Sequence, residues 1–183
     1  SLYFTEESFD DFYVGKGSSY PDIHGAVGIL FEQAGTKGHL RETPGMLLSF
    51  PFAIRNHFTV SLSTLEAGLR MKNQLLESQK RFYRDALAEA EKHPVKAYIF
   101  GEPSDRSRLN EFVSILLQHK IKVYRPARDI EKNGITYKSS NSFVVPLKQG
   151  EYRFIRSLFE PVTNFSDSIF YDVSTWVLPM SFN

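Results

Sequence analysis

The chain contains no cysteine. That excludes disulfides, thiolate zinc sites and cysteine nucleophiles. It also has no apolar run approaching the roughly 18 residues that a membrane span needs. Net charge is nearly absent: 22 basic against 21 acidic residues leave +1. Such a balance gives no electrostatic footprint for nucleic acid or for an anionic membrane. The first residues, Ser1-Leu2-Tyr3-Phe4-Thr5-Glu6-Glu7, carry neither the basic region nor the hydrophobic stretch of a signal peptide. There is no initiator Met, and the chain reads as a piece cut from a longer one. The residues alone do not fix its compartment.

What is present suffices for one domain or two small ones. Of 183 residues, 42% are hydrophobic and 23% charged, the proportions of a chain that folds and buries a core. Aromatics are abundant, with 16 Phe and 9 Tyr. They fit a large aromatic core or an aromatic-lined substrate cleft.

The pattern changes near His93-Pro94, which divides the chain into residues 1–93 and 94–183. Ahead of this point Phe58, Leu62, Leu65, Leu69, Leu76, Tyr83, Leu87 and Ala90 recur at helical steps. Only Gly68 interrupts the helix formers, and Pro94 stops them. This predicts one helix from Asn56 to Lys92, on the order of 50 Å long at about 1.5 Å per residue. Its leucine stripe is expected to pack in a core. After Pro94 the order is strand, helix, strand: Lys96 to Gly101, then a helix capped by Ser104 or Asp105, then Ile121 to Tyr124. Leu109, Phe112, Val113, Leu116 and Leu117 share one helix face. A third strand, Ser142 to Pro146, precedes a helix from Gly150 to Glu160. This β-α-β order predicts parallel strands with a right-handed crossover, in a flavodoxin-like α/β arrangement. Asp172, Ser174 and Trp176 are expected to be structural, with Trp176 buried.

The informative stretch runs from Phe12 to Gly38 and reads FYVGKGSSYPDIHGAVGILFEQAGTKG. Within it, residues 26–32 form a nearly unalternating apolar run that suggests a strand buried on both faces. The run ends in Glu32. Burying an ionised carboxylate costs several kcal/mol unless it is paired or hydrated. Glu32 therefore wants a partner. A neighbouring Arg or Lys would serve, and so would a catalytic water beside a metal, where a carboxylate acts as general base.

This string resembles the end of the catalytic domain in zinc-dependent metallocarboxypeptidases of the carboxypeptidase A-like family. It is most similar to the large, divergent bacterial members whose corresponding strand reads close to GILFEQA. The resemblance covers roughly residues 9 to 75. It implies an α/β fold for the whole: the end of a carboxypeptidase-type mixed sheet with a long C-terminal helix, then the start of a glutamine-amidotransferase-like domain. It implies a peptide hydrolase in which zinc polarises the scissile carbonyl and acidifies a bound water. Glu32 is then the catalytic general base. Tyr13 falls where the family's mobile substrate-binding tyrosine sits, and Tyr20 falls near its specificity pocket. An extracytoplasmic location is also what the family implies.

The zinc ligands and the basic residues that grip the substrate carboxylate lie upstream of the glutamate in that family. The histidines here, His24, His39, His57, His93 and His119, are read as scattered at spacings that suit no zinc site, with His24 and His39 expected at the surface, and Arg41 and Arg55 have no assigned role. Zinc is therefore expected only in an intact parent. The expected partners are a peptide substrate and the upstream part of the catalytic domain, with no nucleic acid and no membrane span. Residues 94–183 lack a cysteine nucleophile, so any amidotransferase-like domain there is expected to be silent. Two other readings remain: a non-catalytic α/β binding or structural module, and a nucleotide-binding flavodoxin-like protein. The second is thin, because Gly101-Glu102-Pro103-Ser104-Asp105 offers one glycine where a phosphate cradle usually needs several.

Overall fold

The computed structural model describes residues 14–33, 35–161 and 178–182. Tyr13, Asp172, Ser174 and Trp176 lie outside them. The architecture is mixed α/β with small antiparallel sheets. A short helix α1 (Ser19–Ile23) comes first, followed by the hairpin β1 (Leu40–Thr43) and β2 (Met46–Ser49). Two helices follow, α2 (Phe50–Arg70) and α3 (Lys72–Lys92). The second half contains β3 (Ala97–Gly101), α4 (Arg106–Gln118), β4 (Ile130–Lys132), β5 (Ile135–Tyr137), β6 (Ser142–Pro146), α5 (Tyr152–Phe159) and a 3₁₀ turn at Leu178–Phe182.

Local chemistry explains the boundaries. The β4–β5 loop is Asn133-Gly134, with φ of 52° and 77°, the paired left-handed conformation of a tight hairpin turn. Ser49 caps α2 by accepting from the Phe52 amide at 3.4 Å, and Pro51 sits in the first turn where no N–H is missed. The helix thus begins earlier than the expected Asn56. It does not run unbroken to Lys92. Met71 adopts φ −95° and ψ 9°, outside helical values, and separates α2 from α3. Asp105 is the cap of α4, its Oδ1 accepting from the Arg108 amide at 2.9 Å.

The core lies in the second half. Phe112 and Leu116 of α4 meet Ile121, Val145 of β6, and Phe154, Ile155 and Leu158 of α5. A second cluster joins Ala86 and Ala90 of α3 to Leu147 and Tyr152. Small alanines on α3 let α5 approach closely. The contact is reinforced at its rim, where Arg153 donates to Glu89 at 3.0 Å and lies over the Phe82 ring. Lys148 pairs with Glu91 there as well. The back half of the long helical region therefore packs on the module that follows it.

Two expectations are corrected here. The two strands of the β-α-β unit are not neighbours: β6 lies between them, antiparallel to both, which leaves them parallel to each other. β3 pairs antiparallel with β6, from Ala97 opposite Pro146 to Gly101 opposite Ser142. The segment from Ile121 to Tyr124 makes only an isolated antiparallel bridge, Tyr124 to Val144. Pro126, which has no N–H to give, follows at once and shortens this edge. The other correction is the leucine stripe of the long helix. Leu62, Leu65 and Leu69 are 51%, 72% and 76% exposed rather than packed. Leu117 of α4 is likewise exposed.

Beside the Tyr124 bridge, one side chain completes the edge. Gln149 is buried, and its Oε1 accepts from the Lys122 amide at 2.7 Å. Its Nε2 donates to the carbonyls of Lys122, at 3.3 Å, and of Pro146, at 2.6 Å. The primary amide thus stands where a peptide group of a neighbouring strand would. Gln149→Leu keeps the bulk but leaves these backbone groups unpartnered. It is expected to cost about 1–3 kcal/mol, read as a lower urea midpoint with an unchanged slope.

Candidate functional site

Residues 26–32 do not form the expected buried strand. No described strand lies beside them, because β1 and β2 pair only with each other. Without a partner ladder the run is an extended strip on the surface. Val27, Ile29, Leu30 and Phe31 are 61%, 55%, 57% and 48% exposed. Its start is fixed by the Gly28 amide, which donates to Asp22 Oδ1 at 2.7 Å. Gly28 also passes so close to the Ser18 carbonyl that no side chain fits there. Its end is held by Asn56 Nδ2 of α2, which donates to Gln33 Oε1 at 2.9 Å.

Glu32 is exposed, not buried. Among the described residues it makes no hydrogen bond or ion pair. The Arg or Lys partner that burial would demand is not needed, because the carboxylate keeps its water.

Between the strip and the helices lies a cleft of about 820 Å³. Val27, Ile29 and Phe31 form one wall, and Val60, Leu75 and Leu76 the other. Both α2 and α3 contribute, so the break at Met71 lies within the wall. Among the described residues no ionisable side chain lines the cleft. It is suited to an apolar group and supplies no acid or base within. Glu32 follows the wall residue Phe31 but is not itself part of the lining.

Tyr20 does not join Glu32. Its phenol lies 2.8 Å from His119 Nδ1, across the α4 terminus. It belongs to a cluster that spacing along the chain does not reveal. His24 Nδ1 is 2.8 Å from the Tyr20 carbonyl, and its Nε2 is 3.6 Å from Glu151 Oε2. Tyr83 of α3 donates to the His24 carbonyl at 3.1 Å. The rings of His24 and His119 both pack on Phe154. Burial, then the neighbouring His24, pushes the His119 imidazole below its ordinary value. Burial pushes the Glu151 carboxyl up, with His24 and Lys120 opposing. Tyr83 is also raised, by burial and then by Glu151 and Tyr20. His24 is thus not at the surface, as its place in a glycine-rich segment suggests, but wedged between α1, α4 and α5.

One metal-type spacing does occur, His39-Leu40-Arg41-Glu42, which has the His-x-x-Glu form. It follows Glu32 instead of preceding it. His39 adopts a φ of 72° just before β1, and its ring packs against Phe50. Residues three apart in a strand point to opposite faces. Among the described residues no group of three or more His, Asp or Glu side chains is placed to hold a metal ion. Arg41 donates to the Gly35 carbonyl, and Arg55 lies over the Phe52 ring. No described helix is long and apolar enough to cross a membrane. The chain matches no family model, no curated protein and no solved structure.

Proposed function

We propose that this chain is the C-terminal portion of a zinc-dependent metallocarboxypeptidase, with residues 1–93 closing the catalytic domain and Glu32 its general base. The observation that carries this reading is the uncovered apolar strip running into an exposed carboxylate. Four large apolar side chains in five residues, about half exposed or more, are costly to leave in water. A strand of a larger sheet has this character when its neighbours belong to another part of the protein. The upstream part of the catalytic domain would cover the strip and bring the zinc ligands, which the residues described here do not supply. Glu32, exposed and with no ion-pair partner among the described residues, is free to take a proton from an attacking water and pass it to the leaving amine. The substrate is a peptide, and the extracytoplasmic setting follows from the family resemblance. Tyr13 and Tyr20 are its substrate-binding candidates; Tyr20 would have to leave His119 to reach a substrate. Residues 94–183 serve as a non-catalytic packing module, a role favoured by the aromatic core they bring to the back of α3.

Metal analysis and a peptidase assay test this together. The 183-residue chain alone is expected to hold well under one zinc and to release no C-terminal residues. The same chain continued upstream through a His-x-x-Glu pair and a further His is expected to gain both. One tightly held zinc on the chain alone would overturn the reading and point to His39 and Glu42. So would a complete, zinc-loaded parent that releases nothing.

A further inference from the structure

The His24–Glu151 contact has a proton problem that its geometry solves in only one way. His24 Nδ1 faces the Tyr20 carbonyl at 2.8 Å. A carbonyl oxygen only accepts, so Nδ1 carries its hydrogen. In neutral imidazole the other nitrogen, Nε2, is then a bare acceptor. That atom faces Glu151 Oε2 at 3.6 Å, and both atoms are buried with no other partner. An ionised carboxylate against a bare nitrogen would set two lone pairs together away from water, a costly arrangement. One proton between them removes the conflict, whether it sits on the imidazole or on the carboxyl.

We propose that His24 and Glu151 share one proton, and that this pair, with the Tyr20–His119 hydrogen bond beside it, is a pH-operated latch holding α1 and the apolar strip after it against α3, α4 and α5. The latch does not depend on the peptidase reading. Among the described residues, the titratable groups facing it come from these elements. Tyr20 comes from α1, Tyr83 from α3, His119 and Lys120 from the end of α4, and Glu151 from the start of α5.

The two sides of the latch respond to pH with opposite sign. His119 is depressed when docked. Its contribution is therefore present above the unfolded histidine value, about 6.5, and is lost as pH falls through the docked value. Protonated His119 would also stand beside His24 and Lys120, which repel it. The shared proton works the other way. That contribution is lost as pH rises. The raised Glu151 carboxyl points in the same direction. Docking is therefore strongest at an intermediate pH and weaker on both sides.

Amide hydrogen exchange of the full chain tests this at the His24, Gly25 and Ala26 amides, which bond to carbonyls of Pro21 and Asp22. Protection factors, corrected for intrinsic exchange, are expected to pass through a maximum and to fall on both the acid and the alkaline side. Glu151→Gln supplies an amide N–H to His24 Nε2 and needs no shared proton. It should abolish the alkaline fall, giving about tenfold more protection than wild type for each unit by which the pair's titration was shifted. His119→Gln should abolish the acid fall and leave the alkaline one. Protection that is flat with pH in wild type, or an alkaline fall that persists in Glu151→Gln, would overturn the latch. If a variant does not fold, imidazole nitrogen shifts in the wild type decide. Nδ1 of His24 bearing hydrogen supports it, and an unprotonated Nδ1 overturns it.

Discussion

In the peptidase that this chain is proposed to complete, Glu32→Gln lowers kcat at least about 10²-fold, the size of effect that loss of a general base produces. Bound metal and thermal stability stay unchanged. The structure makes the substitution informative. Glu32 is exposed and has no hydrogen bond or ion pair among the described residues, so glutamine removes nothing that the fold uses there. A fall in kcat would then report chemistry, because the amide cannot take a proton from water. Near-normal turnover sinks the assignment of Glu32. Tyr13→Phe should act less and mainly through KM, as expected of a group that holds substrate in ground and transition states alike.

The second large effect concerns stability. Phe112→Ala is expected to destabilise the chain by about 3–5 kcal/mol, the usual range for removing a buried phenyl group. Phe112 is 2% exposed. Its ring lies 4.9 Å from Phe100, 5.1 Å from Phe182 and 5.8 Å from Phe159. Truncation empties the middle of that aromatic group, which strand and helix backbones cannot close. The control is Leu117→Ala on the same helix. Leu117 is exposed, and its truncation should change stability by less than about 0.5 kcal/mol. Denaturant midpoints compare the two. If Leu117→Ala were the more damaging, the face of α4 that meets the core would be misassigned.

These contrasts show what the sequence carries and what it does not. The strands β3 and β6, the helices α4 and α5, and the Asp105 cap are legible because each is set by neighbours a few residues away. Strand order is not, because it depends on which segment comes to lie beside which. The pairing of β3 with β6 joins residues separated by the whole of α4 and the β4–β5 hairpin. That hairpin itself is written in Asn133-Gly134, a turn signal that hydrophobic periodicity passes over. His39-Leu40-Arg41-Glu42 is passed over in the same way when histidines are judged one by one. The run ending in Glu32 teaches a different lesson. An unbroken apolar string reports that something should cover it, not what does. Among the described residues nothing does, and the same holds for Leu62, Leu65 and Leu69. The His24–Glu151 and Tyr20–His119 contacts had no signal at all. No spacing rule connects residues about 100 positions apart that carry no shared motif.

Gln149 makes one part of this fold unusually dependent on the genetic letter at a single codon. Hydrogen bonds between backbones survive almost any substitution, since every residue but proline brings the same peptide group. At the edge where Lys122 meets Pro146, that insurance is missing, because a side chain does the joining. Glutamate would offer only acceptors and asparagine would fall one carbon short. Tyr124 keeps its own backbone bridge to Val144, but the Lys122 end of the segment is joined through one amide, and a point change there would loosen what elsewhere takes an insertion or a proline to undo.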